Sequence, residues 1–529
     1  MTAITPTKAN AKTKAAKGKG NAKAGAAPTS ADKTFDSLNP ANGDVVGTYP
    51  VRGAEDVRAA VDRAHEAAAW WSGLSYAERG ELLTKWKGVM TRRIAQLAHV
   101  VHEETGKPHG DAQLEIALAI DHLSWAAGHA KKVLGNHKVR PGVLMANQVA
   151  TVEYKPLGVI GVIGPWNYPV FTPMGSIAYA LAAGNAVVFK PSEYTPGVGL
   201  WLASTFAEVV PDHPVFQVVT GLGETGGALA SSTVNKVAFT GSTNTGKKVM
   251  VAAAENLTPV IIEAGGKDAL IVDEDADVKA AADAALWGGM SNAGQTCIGV
   301  ERVYVHQTVY EEFVDQLLQR ARGLRAGSDS EAKIGPITMP SQVKIIGEHV
   351  TDALANGGRA LMGGADAVGE RFVQPTILVD VPEDSIAVTD ETFGPTLTVC
   401  RVRDMDEAIE RTNATRYGLG STVFSKKRGA ELAGRIRSGM TAVNSVIAFA
   451  GIPSLPFGGV GDSGFGRIHG ADGLKEFTYA KAVARQRMKP PMLLTSFTRT
   501  AKTDGKFAQL ITVMHGGSTT LPKIRRRKR

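Results

Sequence analysis

The sequence predicts an α/β protein built on mostly parallel sheets, and three observations carry that reading. After residue 150, short β-rich runs (LGVIGVIGP, AVVFKPS, VFQVVTG, KVAFTG and PVIIEAGG) alternate with helical or glycine-rich segments. Such alternation places crossover helices against a parallel sheet. A second alternating set starts near ALIVDEDAD and runs through ERVYVHQTVYEEFVDQLL, RFVQPTILVDV and TLTVCRV to GLGSTVFS, implying a second α/β domain. Composition agrees: 43% hydrophobic and 21% charged residues with 59 glycines suit a folded α/β chain rather than a disordered or membrane one. A length of 529 residues allows about three globular units.

The first 33 residues are rich in Ala, Lys and Gly and almost free of large apolar side chains. They cannot bury enough surface to fold and are expected as a disordered basic tail. They contain no Arg, unlike a mitochondrial transit peptide, and no apolar core of a secretory signal. Beyond Phe35, the residues Val57, Val61, Ala64, Ala68 and Trp71 recur at three- and four-residue steps and predict an amphipathic helix. More helix follows through LLTKWKGVMTRRIAQLAHVVHEETGKP. Residues 489–529 return to a basic, irregular composition in which KFAQLITVMH suits a short amphipathic helix.

The net charge of +8 is unevenly spread: +6 on residues 1–33 and +10 on residues 487–529 leave −8 on the body. The basic ends read either as solvated tails or as attraction to nucleic acid or anionic membrane surfaces. No apolar run reaches the roughly 18 residues of a membrane span. Two cysteines, Cys297 and Cys400, cannot build a disulfide scaffold, so a reducing cytoplasm is the expected location.

Asn167 in GPWNYP, Glu263 in IIEAGGK and Cys297 in SNAGQTC supply an amide donor, a base and a soft nucleophile. Sulfur attacking a carbonyl requires all three. The small polar residues before Cys297 predict an accessible thiol, stabilised as thiolate by backbone amides if a helix begins nearby. Cys400, in apolar TLTVCRV, reads as inert core. FTGSTNTGKK sets Gly241, Ser242 and Gly246 between a strand and a helix, where N-terminal amides favour a phosphate. Lys190 and Glu193, in AVVFKPSE, stand at a strand end suited to ribose hydroxyls. GLGETG matches a dinucleotide pattern but lacks the acidic residue about 20 positions on, and reads as a structural turn. The twelve His show no metal-ligand spacing and no G-x-S-x-G occurs, so neither metal nor serine-hydrolase chemistry is expected.

ETGKP (104–108), GPWNYP, VFKPSE, FTGS with Gly246, EAGGK, GQTC, ETFGP (391–395) and PFGG (456–459) stand in the order and spacing of the aldehyde dehydrogenase superfamily. The chain resembles that superfamily from about Phe35 to Lys481. The resemblance implies a Rossmann-like NAD(P)-binding domain over 34–133 and 155–266 and an α/β catalytic domain over 267–471. It also implies a bridging β-flap from 134–154 and 472–488, with the basic extension 489–529 outside. Exposed flap edges pair between subunits, so a homodimer or homotetramer is expected. By the same resemblance, Cys297 attacks the aldehyde, Asn167 and the Cys297 N–H hold the oxyanion, and Glu263 activates the water that hydrolyses the thioester. Trp166, Lys190, Glu193, Gly241, Ser242, Gly246, Glu391 and Phe393 take the cofactor contacts. NAD is expected, because Glu193 repels a 2′-phosphate, with NADP possible through Lys190.

Departures from the family pattern bear on the substrate. Ala264 replaces the usual Leu beside Glu263. Semialdehyde-specific members often carry Arg eight residues after the oxyanion Asn; here that position is Gly175, and no Arg occurs between Arg140 and Arg302. Gly175 and Ser291, with Phe457 as a wall, imply a roomy pocket for a bulky aliphatic or aromatic aldehyde. The alternatives are a succinate-semialdehyde dehydrogenase-like activity, a coenzyme-A-acylating relative that typically lacks the base, and a nucleic-acid or membrane-surface binding protein acting through its basic ends.

Overall fold

A computed structural model describes residues 33–490, 492 and 494–517. All but Lys33 of the expected N-terminal tail lies outside the described residues, as does the chain from 518 onward. The fold is α/β, with two largely parallel sheets and two smaller antiparallel ones, of which one pairs Thr34–Leu38 with Val45–Pro50.

The predicted first helix is Ala54–Gly73, and all five periodic residues named above are buried along it. The next, Tyr76–Arg92, starts at Ser75 with a reciprocal cap: Glu78 N donates to Ser75 Oγ at 3.3 Å, and Ser75 N to Glu78 Oε2 at 2.7 Å. Ile94–Thr105 stops at Gly106, whose φ of +70° is the left-handed cap that glycine tolerates. That turn releases Lys107 inward ahead of the long helix His109–Leu134.

The six-stranded sheet has the order Gly464–Phe465, Val260–Ala264, Lys236–Gly241, Val159–Ile163, Ala186–Lys190, Phe216–Val218. All but the two-residue edge strand run parallel. Val159–Ile163 and Ala186–Lys190 are buried at every position, which is why they read as unbroken apolar runs rather than alternating ones. Chain order reverses at Val159–Ile163. The chain first builds outward to Phe216–Val218, then returns to lay Lys236–Gly241 on the other side. A crevice opens where such a reversal occurs, at the carboxyl ends of Val159–Ile163 and Lys236–Gly241.

The seven-stranded sheet has the order Arg359–Met362, Thr376–Val379, Thr396–Val402, Val300–His306, Asp268–Val272, Ser421–Phe424, Ala442–Val443. Only Arg359–Met362 runs antiparallel. The segments leading into Asp268, Val300 and Thr396 carry Gly265–Lys267, Cys297 and Glu391–Phe393. The amino ends of this sheet therefore meet the carboxyl ends of the first.

The flap pairs Thr478–Gln486 with Gln148–Pro156, and the latter with His137–Val139. These strands differ by a few residues from the segments expected at 134–154 and 472–488. Helical packing persists to Leu134, and the helix Gly470–Glu476 occupies the start of the second segment. The C-terminal helix Ala501–His515 contains the amphipathic KFAQLITVMH, and none of its residues is buried.

Candidate active site

Asn167, Glu263 and Cys297 arrive from three directions. Asn167 follows the strand Val159–Ile163, Glu263 sits within Val260–Ala264, and Cys297 lies on the turn before Val300–His306. Asn167 Nδ2 donates to Gln295 O at 3.0 Å. Its own carbonyl accepts from Lys107 Nζ at 2.9 Å and from Asn292 Nδ2 at 3.0 Å. Tyr168 and Thr296 share a hydroxyl hydrogen bond of 3.0 Å. Three successive left-handed residues, Asn292 (φ +52°), Ala293 (φ +56°) and Gly294 (φ +70°), fold the chain back toward the thiol. A side chain at Gly294 would meet the Gly394 carbonyl, so only glycine fits.

No helix begins at Cys297. The short helical turn Ser291–Gly294 ends before it and has left-handed residues inside, so the expected amide stabilisation of a thiolate is absent. Burial, and then the Glu263 carboxylate, push the thiol well above its usual range. Cys297 is half-buried and lines a cleft as a protonated thiol. Burial likewise raises Glu263 to about 7, tempered by the Thr240 and Cys297 side chains. Neither Glu263 oxygen completes a hydrogen bond among the described residues.

The residues expected to contact the cofactor gather at the crevice. Ser242 caps the helix Thr243–Ala254, accepting from Thr245 N at 3.3 Å, and this helix start is solvent-exposed. A Cβ at Gly241 would lie 2.7 Å from the Phe239 ring, and one at Gly246 3.0 Å from Ile262 Cγ2, so both glycines permit close backbone approach. Lys190 Nζ contacts Glu193 Oε2 at 3.4 Å. Glu391 Oε1 accepts from Gly266 N at 3.0 Å, and a side chain at Gly265 would fill the space that Glu391 occupies. Burial raises Glu391 to about 8, with Glu301 adding to the shift. Phe393, at φ +53°, meets Trp166 edge-to-face at 5.5 Å across the crevice. The exposed helix start, the glycine cradle and the paired Lys190 and Glu193 together fit a dinucleotide. GLGETG is structural: Thr225 Oγ1 donates to Arg52 O at 2.7 Å, and Arg52 N donates to Thr220 O at 2.9 Å.

Sequence reasoning missed the supports behind these residues. Lys107 and Glu115 form a fully buried ion pair, and Glu115 Oε1 also accepts from Val170 N at 2.8 Å. Lys267 pairs with Glu301, whose carboxylate receives Thr392 N at 2.8 Å and Phe393 N at 3.0 Å. Glu301 in GVERV carried a signal, a charge inside an apolar run, whereas Lys107 in ETGKP stands among polar residues and carried none. Cys400 lies at the edge of the core rather than within it: it is half-buried against the cluster of Ile271, Tyr304 and Val402, accepts from Arg411 Nη1 at 2.9 Å, and burial raises its thiol to about 11.

The cleft ending at Cys297 spans about 750 Å³, including its solvent-open mouth, and Ser291 and Phe457 line it as expected. Gly175 does not. A Cβ there would fall 2.6 Å from His469 Nε2 and 2.8 Å from Ile468 Cδ1, so the space left by glycine is filled by His469 rather than opened to substrate. The apolar lining comes from Leu114, Leu118, Phe171, Trp287, Ile447 and Phe457. The charged residues at its wall are Asp111 and Glu115; among the described residues no Lys, Arg or His lines it.

Fold and crevice together define a dinucleotide-dependent α/β enzyme with a thiol at the end of an apolar cleft. Residues 27–483 match the Aldehyde dehydrogenase family. The chain is 35% identical over 497 residues to a 4,4'-diapolycopene aldehyde oxidase of Methylomonas sp, covering 93% of each chain. It is 36% identical over 456 residues to a glutarate-semialdehyde dehydrogenase of Pseudomonas aeruginosa, covering 85% of this chain and 93% of the relative. A solved NAD-dependent aldehyde dehydrogenase from Sinorhizobium meliloti superposes with TM-score 0.83 at 34% identity, covering 88% of this chain and 93% of that one. The chain belongs to the aldehyde dehydrogenase family and is an NAD(P)-dependent enzyme that oxidises an aldehyde.

Proposed function

We propose that the substrate is a long or bulky apolar aldehyde lacking a distant carboxylate. The observation that carries this is the lining of the cleft at Cys297, apolar along its walls with carboxylates rather than cations as its charged groups. A carboxylated aldehyde would want a bidentate Arg partner. Burying hydrocarbon contributes about 0.8 kcal/mol per methylene, roughly fourfold in affinity for each one added.

In this reading Glu263 accepts the Cys297 thiol proton, and the sulfur forms a bond to the carbonyl carbon. The electron pair displaced onto oxygen is met by the Asn167 amide and by the Cys297 N–H, which has no backbone acceptor among the described residues. The dinucleotide supplies the hydride acceptor when bound at the crevice between Ser242 and Glu391. Glu263, whose oxygens have no partner among the described residues, releases the thiol's proton to solvent and then takes a proton from the water that attacks the thioester; as the acid leaves, Glu263 returns that proton to the Cys297 sulfur. Retention of this base favours hydrolysis over transfer to coenzyme A.

The cofactor assignment is to Trp166, Lys190, Glu193, Gly241, Ser242, Gly246, Glu391 and Phe393, with NAD preferred because Glu193 disfavours a 2′-phosphate. We assign cofactor binding to residues 34–133 and 155–266, catalysis to 267–471 and subunit pairing to the flap. The exposed Tyr479 and Val483 on the flap edge support a homo-oligomer, and the two unpaired cysteines support cytoplasmic residence.

The test is NADH formation at 340 nm with an aliphatic series, aromatic aldehydes and succinate semialdehyde, for wild type and Cys297→Ala. The expected result is Cys297-dependent turnover whose kcat/KM climbs with chain length. A preference for succinate semialdehyde overturns the substrate reading.

A further inference from the structure

The turn that carries Glu193 is held from far away in the chain. Thr195 N donates to Ser192 O at 3.1 Å to close the turn, and the helix Pro196–Ala207 follows directly. Local sequence leaves that helix start uncapped. Pro196 has no N–H, Thr195 makes no side-chain cap, and Thr195 Oγ1 is buried without a partner among the described residues. The next two amides, of Gly197 and Val198, therefore need an acceptor from elsewhere.

Glu104 supplies it. This carboxylate is 1% exposed, in the last turn of Ile94–Thr105. Its Oε1 accepts from Gly197 N at 2.8 Å and its Oε2 from Val198 N at 3.0 Å. A negative charge at this end of a helix also meets the positive end of the helix dipole. Gly197 permits the approach: a Cβ there would lie 2.8 Å from both Glu104 Oε1 and the Tyr49 hydroxyl. A second hold comes from the hairpin Thr34–Leu38, where Ser37 Oγ donates to Tyr194 O at 3.1 Å.

The two holds flank Glu193. Its own side chain is 40% exposed and has only the long contacts to Lys190 Nζ at 3.4 Å and Ser192 Oγ at 3.3 Å among the described residues. Such a side chain takes its place from its backbone. We propose that Glu104 is a positioning residue for cofactor choice: by capping Pro196–Ala207 it fixes the turn that aims Glu193 at the cofactor ribose and so keeps a 2′-phosphate out. This rests on the proposed role of Glu193 at the ribose. A carboxylate free to swing away no longer repels a 2′-phosphate, whereas a loss of stability alone would weaken NAD and NADP alike.

The experiment is steady-state kinetics with NAD and with NADP for wild type, Glu104→Gln, Glu104→Ala, Ser37→Ala, Glu193→Ala, and Glu104→Gln combined with Glu193→Ala. Thermal melts report folding. Gln offers one acceptor to two amides, so Glu104→Gln should raise the NADP-to-NAD ratio of kcat/KM by about threefold or more, through KM for the nucleotide. Glu104→Ala should approach the full shift of Glu193→Ala, and Ser37→Ala should move the ratio the same way. In the Glu193→Ala background, Glu104→Gln should shift the ratio no further, because no carboxylate remains to be aimed. Equal losses with both nucleotides, or a Glu104→Gln shift that persists undiminished in that background, overturn the proposal. So does an unmoved ratio in folded Glu104→Gln beside a shifted one in Glu193→Ala. If neither Glu104 variant folds, an unmoved ratio in Ser37→Ala overturns it. An unmoved ratio in Glu193→Ala itself refutes the ribose role of Glu193, and the proposal with it.

Discussion

Replacing Glu263 with Gln removes a buried ionisable group that faces the thiol, and the structure gives both the sign and the size of the effect. Burial raises the Glu263 carboxyl from 4.5 to about 7. A carboxyl whose folded pKa is raised contributes stability that is fully present below the unfolded value and is lost as pH rises through the folded one. The wild type therefore loses stability from pH 4.5 up to about 7 on account of this group, and no further above it. That rise corresponds to about 3 kcal/mol. Gln does not titrate, so the variant should gain on wild type across that window by about 3 kcal/mol, or roughly 3 °C in Tm at about 2.1 cal/mol/K per residue. Activity should move the opposite way. Wild-type kcat should fall as pH drops through about 7, where the base becomes protonated. The variant should lose about 10² to 10⁴ in steady-state rate. If thiohemiacetal formation survives, one equivalent of NADH per site should still appear in a burst. The assays are thermal melts from pH 4.5 to 8.5 and stopped-flow absorbance at 340 nm. A stability difference that stays flat with pH, or steady turnover by the variant within tenfold of wild type, refutes the reasoning.

Other substitutions probe the remaining parts. Asn167→Ala should lower kcat by about 10² to 10³ with melts unchanged, as expected for an oxyanion donor; steady-state kinetics check this. Lys107→Met leaves Glu115 buried without its cation and should cost about 3–5 kcal/mol in urea melts, along with part of the activity through the unsupported Asn167 carbonyl. Glu193→Ala removes the carboxylate that opposes a 2′-phosphate and should shift the NADP-to-NAD ratio of kcat/KM by about tenfold or more toward NADP. Asp111→Arg exchanges an anion for a cation at the cleft wall and should lower KM for succinate semialdehyde by about tenfold, roughly one close charge-assisted contact.

Where each part of the chain was legible follows from how local its cause is. Val159–Ile163 and Ala186–Lys190 are buried on both faces, so their apolar runs announced strands of a parallel sheet. Ala54–Gly73 has one buried stripe, and its period was plain. The two-residue strands Ala442–Val443 and Gly464–Phe465 are too short to show any period, and they exist only because Ser421–Phe424 and Val260–Ala264 offer an edge. The ion pairs Lys107–Glu115 and Lys267–Glu301 posed a different difficulty: each charge was visible, but its partner is chosen by the fold.

Gly175 makes the same point about pockets. Read locally, a missing side chain eight residues after Asn167 leaves room for substrate. In the fold, the room is taken by His469, fully buried, with neither ring nitrogen partnered among the described residues and its backbone at φ +64°. Burial holds this imidazole well below its usual pKa, so it packs as a neutral ring behind Ile468 and Phe457 rather than as a cation. The volume of a cleft is set by every chain segment that reaches it, and only side chains that touch it can tune it. Substrate length should therefore respond to Ser291 and Phe457, which line the cleft, and not to the size of residue 175 alone. A larger residue at 175 would first displace His469 and show itself as lost stability before any change in chain-length preference. Melts and an aldehyde series on Gly175→Ala separate the two, and a changed chain-length profile at unaltered stability would return Gly175 to the cleft.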